Sequence, residues 1–203
     1  TAFVSAAGGS GISITGIAGT IANSPSGANV QTPNSDGINL AAGITLSAGG
    51  SAPITLNGTG GTDANLASAG LSNESSVGIE INTDDQGGGG DSPGIDIISQ
   101  SGAIALTGIA GSSVGNVSGI DIDSENGASV TINSASANIA LNGSVPNQTV
   151  TQSINANDNG GATGVNIGGD GSTGAVSWVN ASAGSIYVNG TVGSGPDNSK
   201  EAG

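Results

Sequence analysis

Gly119-Ile120-Asp121-Ile122, then Val130-Thr131-Ile132, then Ile139-Ala140-Leu141-Asn142-Gly143: three short runs alternate aliphatic and polar side chains. A period of two is the pattern of a strand with one face buried. Each run offers only two inward aliphatic side chains, a narrow ridge that cannot close a core alone.

The trio recurs along the chain. Its first run returns as Gly37-Ile38-Asn39-Leu40, Gly78-Ile79-Glu80-Ile81 and Gly164-Val165-Asn166-Ile167, so the successive steps are 41, 41 and 45 residues. The second returns as Ile44/Leu46, Ile95/Ile97 and Val176/Trp178. The third has the form Ile-x-aliphatic-[Thr/Asn]-Gly and occurs as Ile54 to Gly58, Ile104 to Gly108 and Ile186 to Gly190, with an extra copy from Ile12 to Gly16. Self-similarity at such a period marks a repeat architecture. The repeats divide the chain into a partial unit, 1–36, and four full units, 37–77, 78–118, 119–163 and 164–203.

Between the second and third runs the spacing barely varies, as at a tight corner, whereas the other connections vary widely, as loops in solvent do. Stacking one unit on the next sets like strands side by side about 4.8 Å apart and merges the ridges into one aliphatic column. The fold class expected is all-β: a parallel β-helix, or β-solenoid, in which each unit of roughly 41 residues supplies three short strands plus a long return loop, as one wide coil or as two narrower ones. The Gly that follows Asn or Thr in the third run is expected to supply positive φ at a sharp corner. Alternation sends Trp178 inward with Val176, and Tyr187 outward between Ile186 and Val188.

Composition sets the outer limits. The 203 residues include 39 glycines but one Phe, one Trp and one Tyr, so the core is aliphatic and thin. Charged residues make up 8%, too few for a chain held open by charge. Fifteen carboxylates face one basic residue, Lys200, for a net charge of −14. That field repels phosphates and anionic headgroups, so neither nucleic acid nor membrane insertion is expected. The absence of Cys removes disulfide, thiolate and zinc–thiolate chemistry and suits an exported repeat protein. The sequence begins at Thr1 in mid-pattern, which reads as a processed product or a piece of something longer.

Repeated Gly-Ile/Val-x-Ile, then Val/Ile-x-Ile, then Ile-x-Leu-[Thr/Asn]-Gly with Gly- and Ser-rich returns resembles the repeats of filamentous-haemagglutinin-like large exoproteins and of autotransporter passenger domains. The resemblance covers residues 11 to about 193. It implies a right-handed parallel β-helix that is secreted to a cell surface and serves there in adhesion, aggregation or as a stalk. Its partners would be further copies or repeats of itself in a filament, or a surface glycan or protein. In a binding module, recognition would fall on the stacked returns 16–36, 58–77 and 143–163.

Catalysis is not expected. Asn82-Thr83-Asp84-Asp85 resembles elements of pectin-hydrolysing β-helix enzymes, but those also use Gly-His-Gly and Arg-Ile-Lys elements, and this chain has no His and no Arg. A serine nucleophile would have no base to activate it. The third-run outward positions, Ser13, Thr55, Ala105, Ala140 and Tyr187, lack the Thr ranks of an ice-binding face.

Four carboxylates stand out instead. In-register stacking brings Glu80 and Asp121 about 5 Å apart on one face, where like charges repel. A proton taken up by one carboxyl, solvent screening, or a calcium ion held with oxygens of Asp123 and Glu125 would relieve that repulsion. No cofactor is required, and calcium, where bound, would raise thermal stability without conferring activity. The segment Asn155 to Gly160 offers a second, mostly neutral set of oxygens. Asn-x-Ser/Thr triplets at Asn57, Asn73, Asn116, Asn142, Asn147, Asn180 and Asn189 are glycan acceptors in form, at a frequency that chance explains in so Asn-, Ser- and Thr-rich a chain.

Overall fold

A computed structural model describes residues 2–20, 35–62, 75–83, 93–113, 115–148, 161–169, 174–194 and 201–202. Every regular element among them is a strand. The first coil contains β1 (Ala2–Ala6), β2 (Ile12–Ile17) and β3 (Ile38–Ala41), the second β4 (Ile44–Ala48), β5 (Ile54–Thr59) and β6 (Ser76–Asn82). The third contains β7 (Ile95–Ser99), β8 (Ile104–Ile109) and β9 (Val117–Ser124). In the fourth lie β10 (Ser129–Ser134), β11 (Ile139–Val145) and β12 (Ala162–Gly169), and in the fifth β13 (Val176–Ala181), β14 (Ile186–Val192) and β15 (Glu201–Ala202).

Strands of the same kind stack into three sheets. Sheet A runs β1-β4-β7-β10-β13, sheet B β2-β5-β8-β11-β14, and sheet C β3-β6-β9-β12-β15. Every pairing is parallel. The chain is therefore a parallel β-solenoid with three strands per coil. In sheet C, Ile38 pairs with Ile79, Ile79 with Ile120 and Ile120 with Val165, the steps of 41, 41 and 45 residues that the repeat predicts. In sheet B the rank Ile12, Ile54, Ile104, Ile139, Ile186 is equally in register.

Between the sheets lies a continuous aliphatic column. Ile79, Ile81, Ile120 and Ile122 from sheet C face Ile54, Leu56, Ile104 and Leu106 from sheet B, and all are fully buried with Ile95 and Ile97 of sheet A. The A-to-B corners are tightened by buried hydroxyls. Ser99 Oγ accepts from Gly102 N (2.9 Å) and donates to Ala52 O (3.1 Å), and Ser134 Oγ donates to Gly102 O (3.0 Å). These bonds explain the fixed spacing between second and third runs.

Two expectations are corrected. The glycines ending the third run, Gly58, Gly108 and Gly143, are not in the left-handed region; positive φ occurs instead at Gly43, Gly127 and Gly174 between sheets C and A, and at Gly8, Gly11 and Gly50 between A and B. What requires glycine at Gly58, Gly108 and Gly143 is close approach. A methyl group there would collide with the carbonyl oxygens of Gly78, Gly119 and Gly164, the glycines that open the first run. Sheets B and C pinch together along this column, and a smaller cluster of Ala110, Val117, Val145 and Ala162 closes beyond it.

The second correction concerns Trp178. The step from β10 to β13 is 47 residues, so Trp178 pairs with Thr131 and points outward, 59% exposed, while Val176 lies beside Ser129. Ser177 and Val179 turn inward in their place. Ser177 Oγ donates to Gly168 O (2.6 Å), and Val179 packs on the core. A slip of one residue exchanges the faces of a strand, and a core tailored to Ile, Leu and Val has no room for an indole.

The pinch separates two substitutions. Gly108→Ala should cost about 3 kcal/mol by overpacking, whereas Gly50→Ala, at φ 58 with open space around it, should cost about 1 kcal/mol of backbone strain. Urea unfolding of the two variants checks this, and equal losses would remove close approach from the account.

Candidate functional site

Because Ile38/Leu40 and their counterparts point into the core, the residues between them are forced onto the outer face of sheet C. They form one rank, Asn39, Glu80, Asp121 and Asn166, at strand spacing. The expected neighbourhood of Glu80 and Asp121 is therefore present. Each carboxylate carries an amide on its far side: Asn39 Nδ2 donates to Glu80 Oε2, and Asn166 Nδ2 donates to Asp121 Oδ1 (2.9 Å). Asn39 Nδ2 also reaches Asp36 Oδ2 (3.4 Å).

Burial raises the Glu80 carboxyl from its ordinary 4.5 to about 8, assisted by a hydrogen bond with Asp36 and by the charges of Asp36 and Asp121, while Asn82 opposes the shift. Asp121 is also raised by burial, with Asp123 and Asp36 adding to the rise and Asn166 and Ser118 opposing it. Repulsion along the rank is thus met by proton uptake and amide capping. Asp36, on the approach to β3, belongs to this group although sequence reasoning passed it over. It lies outside the alternating run, and only its place beside Gly37 hinted at proximity.

The four calcium candidates are not gathered into one shell. Asp123 pairs with Asn82 two residues further along the strands, and Glu125 lies past the end of β9, where the Thr83 hydroxyl bridges its backbone N–H (2.7 Å) and C=O (3.1 Å). Among the described residues no group of three or more His, Cys, Asp or Glu is arranged to hold a metal. Three of the candidates, Asp121, Asp123 and Glu125, do line one open groove of about 520 Å³ that runs over β9 and β12, together with Ser118, Thr163 and Asn166. Its hydroxyls, amides and carboxyls are hydrogen-bonding groups without a strong nucleophile.

Asn57, Asn116, Asn142, Asn147 and Asn189 are exposed, and Asn180 is half-buried, its Nδ2 donating to Asn133 Oδ1 (2.9 Å). Asn73, Asp84 and Asp85, the segment Asn155 to Gly160 and most of the three return loops lie outside the described residues. Tyr187 faces outward on sheet B beside Ala140, as expected, on a different face from Trp178. Comparison with known proteins adds nothing to this geometry: no protein family, curated protein or solved structure matches the chain significantly.

The Glu80 shift fixes the sign of a pH dependence. Its folded-state value lies above the unfolded one, so its contribution to stability is complete below about 4.5 and is lost as pH rises through about 8. Melting temperature should therefore fall between pH 5 and pH 9. Glu80→Gln, which cannot ionise, should flatten that slope and melt above the parent at pH 9 while matching it near pH 4.5. Parallel curves for the two proteins would show that Glu80 carries no such proton.

Proposed function

We propose that this chain is a segment of an extracellular structural or adhesive solenoid, part of a cell-surface fibre or stalk. The observation that carries the reading is the state of the two coil faces. At one, β1, β2 and β3 are edge strands of their sheets; at the other, β13 and β14 are. Inward side chains are uncovered at the second face, where Ile167, Ile186 and Val188 are 41%, 45% and 53% exposed; at the first face Val4 is 44% exposed while Ile12, Ile38 and Leu40 are buried. Open parallel edges over an apolar cross-section are templates for further coils, supplied by the same chain or by another copy. Both faces carry strands of the same three kinds in the same order, so a coil added at either continues the same ladder.

The chemistry of the surface agrees with a scaffold. A net charge of −14 favours solubility, and the acidic rank on sheet C is bonded into the coils by Asn39 and Asn166. Export to a cell surface and the absence of catalysis belong to the same reading.

Five coils span about 24 Å of axis at ~4.8 Å per coil. Electron cryomicroscopy of the protein from its native surface should show rods much longer than this, with a ~4.8 Å axial repeat. Compact particles no longer than five coils would overturn the proposal.

A further inference from the structure

The outer face of sheet A carries a rank of different character. Phe3 pairs with Thr45, Thr45 with Asp96, Asp96 with Thr131 and Thr131 with Trp178, so five outward side chains lie in line along the solenoid axis. The chain has one Phe and one Trp, and both stand on this rank, one at each end, 66% and 59% exposed. Beside it runs a second rank, Ser5, Ser47, Ile98, Asn133 and Asn180, whose two amides are joined by a hydrogen bond of 2.9 Å.

We propose that this face binds a linear, uncharged glycan of equatorially 1,4-linked pyranoses, lying along the solenoid axis with Trp178 and Phe3 stacked on its rings and Thr45, Asp96 and Thr131 bonded to its hydroxyls. Three observations select that occupant. Side chains on the rank repeat at the strand spacing of ~4.8 Å, and an extended chain of such sugars advances by close to the same distance per ring. Planar aromatic side chains offer an apolar face to the axial C–H groups of a pyranose, while the positions between them are hydroxyls and a carboxylate, suited to vicinal diols and too polar for the core of a protein interface. The net charge of −14, against one Lys and no Arg or His, repels acidic polysaccharides.

The exposure of Trp178 follows from the one-residue slip of β13, which turns the largest side chain of the coil outward beside Thr131. Bulk explains its exclusion from the core, and the register then places it on the same rank as Phe3. Phe3 and Trp178 stand on the edge strands β1 and β13, but the glycan face uses their outward side chains whereas further coils would pair with their backbone edges, so the two readings are tested separately.

The single tryptophan makes the test direct, because intrinsic fluorescence of the intact chain reports on Trp178 alone. Titration with cellohexaose, chitohexaose or β-1,4-mannohexaose should shift the emission to the blue with saturation for at least one of them. Maltohexaose, whose α-linkages curl the chain away from a straight rank, should leave the emission unchanged. By isothermal titration calorimetry, Trp178→Ala should weaken binding about tenfold, as loss of one stacking contact does. Thr131→Glu, which keeps the tryptophan and crowds the rank beside it, should do at least as much, and Tyr187→Ala on sheet B should do nothing. Failure of all three β-linked hexaoses to bind the parent would overturn the proposal and leave Trp178 and Phe3 to a protein partner. Full binding by Thr131→Glu, with the fold intact by circular dichroism, would overturn it equally, whatever the state of any fibre.

Discussion

Each strand of this protein finds its hydrogen-bonding partners in the strand of the same kind one coil away, and that single dependence organises the rest. A coil has too few apolar residues to close on itself, and its backbone groups would be unsatisfied if it stood alone. Once neighbours pair, register passes from coil to coil, so Ile120 is held between Ile79 and Val165 as Leu106 is held between Leu56 and Leu141. The glycine column depends on the same stacking. Gly78 lies against Gly58 of its own coil and against the Gly108–Ile109 backbone of the next, so the two sheets approach to backbone contact only where every coil supplies glycine.

Stacking of like on like also creates the surfaces. A residue that is unremarkable in one coil becomes part of a rank when its counterparts lie ~4.8 Å above and below it. On sheet C this sets two partly buried carboxyls side by side and raises the pKa of both. On sheet A it lines up hydroxyls and a carboxylate between two aromatic rings. Neither surface is an enclosed pocket. Both are linear features along the axis, which suits extended partners such as another coil or a polymer strand.

Variation is confined to places where no neighbouring strand sets the geometry. The connection from sheet C to sheet A occupies two residues, 42–43, in one coil and twelve, 83–94, in the next, yet Thr45 still pairs with Asp96 and Leu46 with Ile97. The A-to-B connection, held by Ser99 and Ser134, has no such freedom. Loop length is thus set by which backbone groups have to be satisfied inside the coil.

Much of the architecture was legible from residue order alone. Period-two alternation located the strands, and the recurrence of Gly-aliphatic-polar-aliphatic foretold the sheet C register residue by residue, including the adjacency of Glu80 and Asp121. Alternation is local: it depends on which side of the backbone successive Cβ atoms leave. Register between coils is not local, and so the reading of Trp178 failed, because one additional residue between β10 and β13 reverses a face and only the volume available inside the coil decides which face is chosen. The role of the third-run glycines was hidden for the same reason, since Asn-Gly looks identical whether Gly serves a positive φ or the approach of a second backbone. Asp36, the cluster of Val117, Val145 and Ala162, and the high pKa of Glu80 came only from tertiary structure. They arise from distances between residues far apart in the chain and from the water their packing excludes, quantities that no stretch of sequence carries by itself.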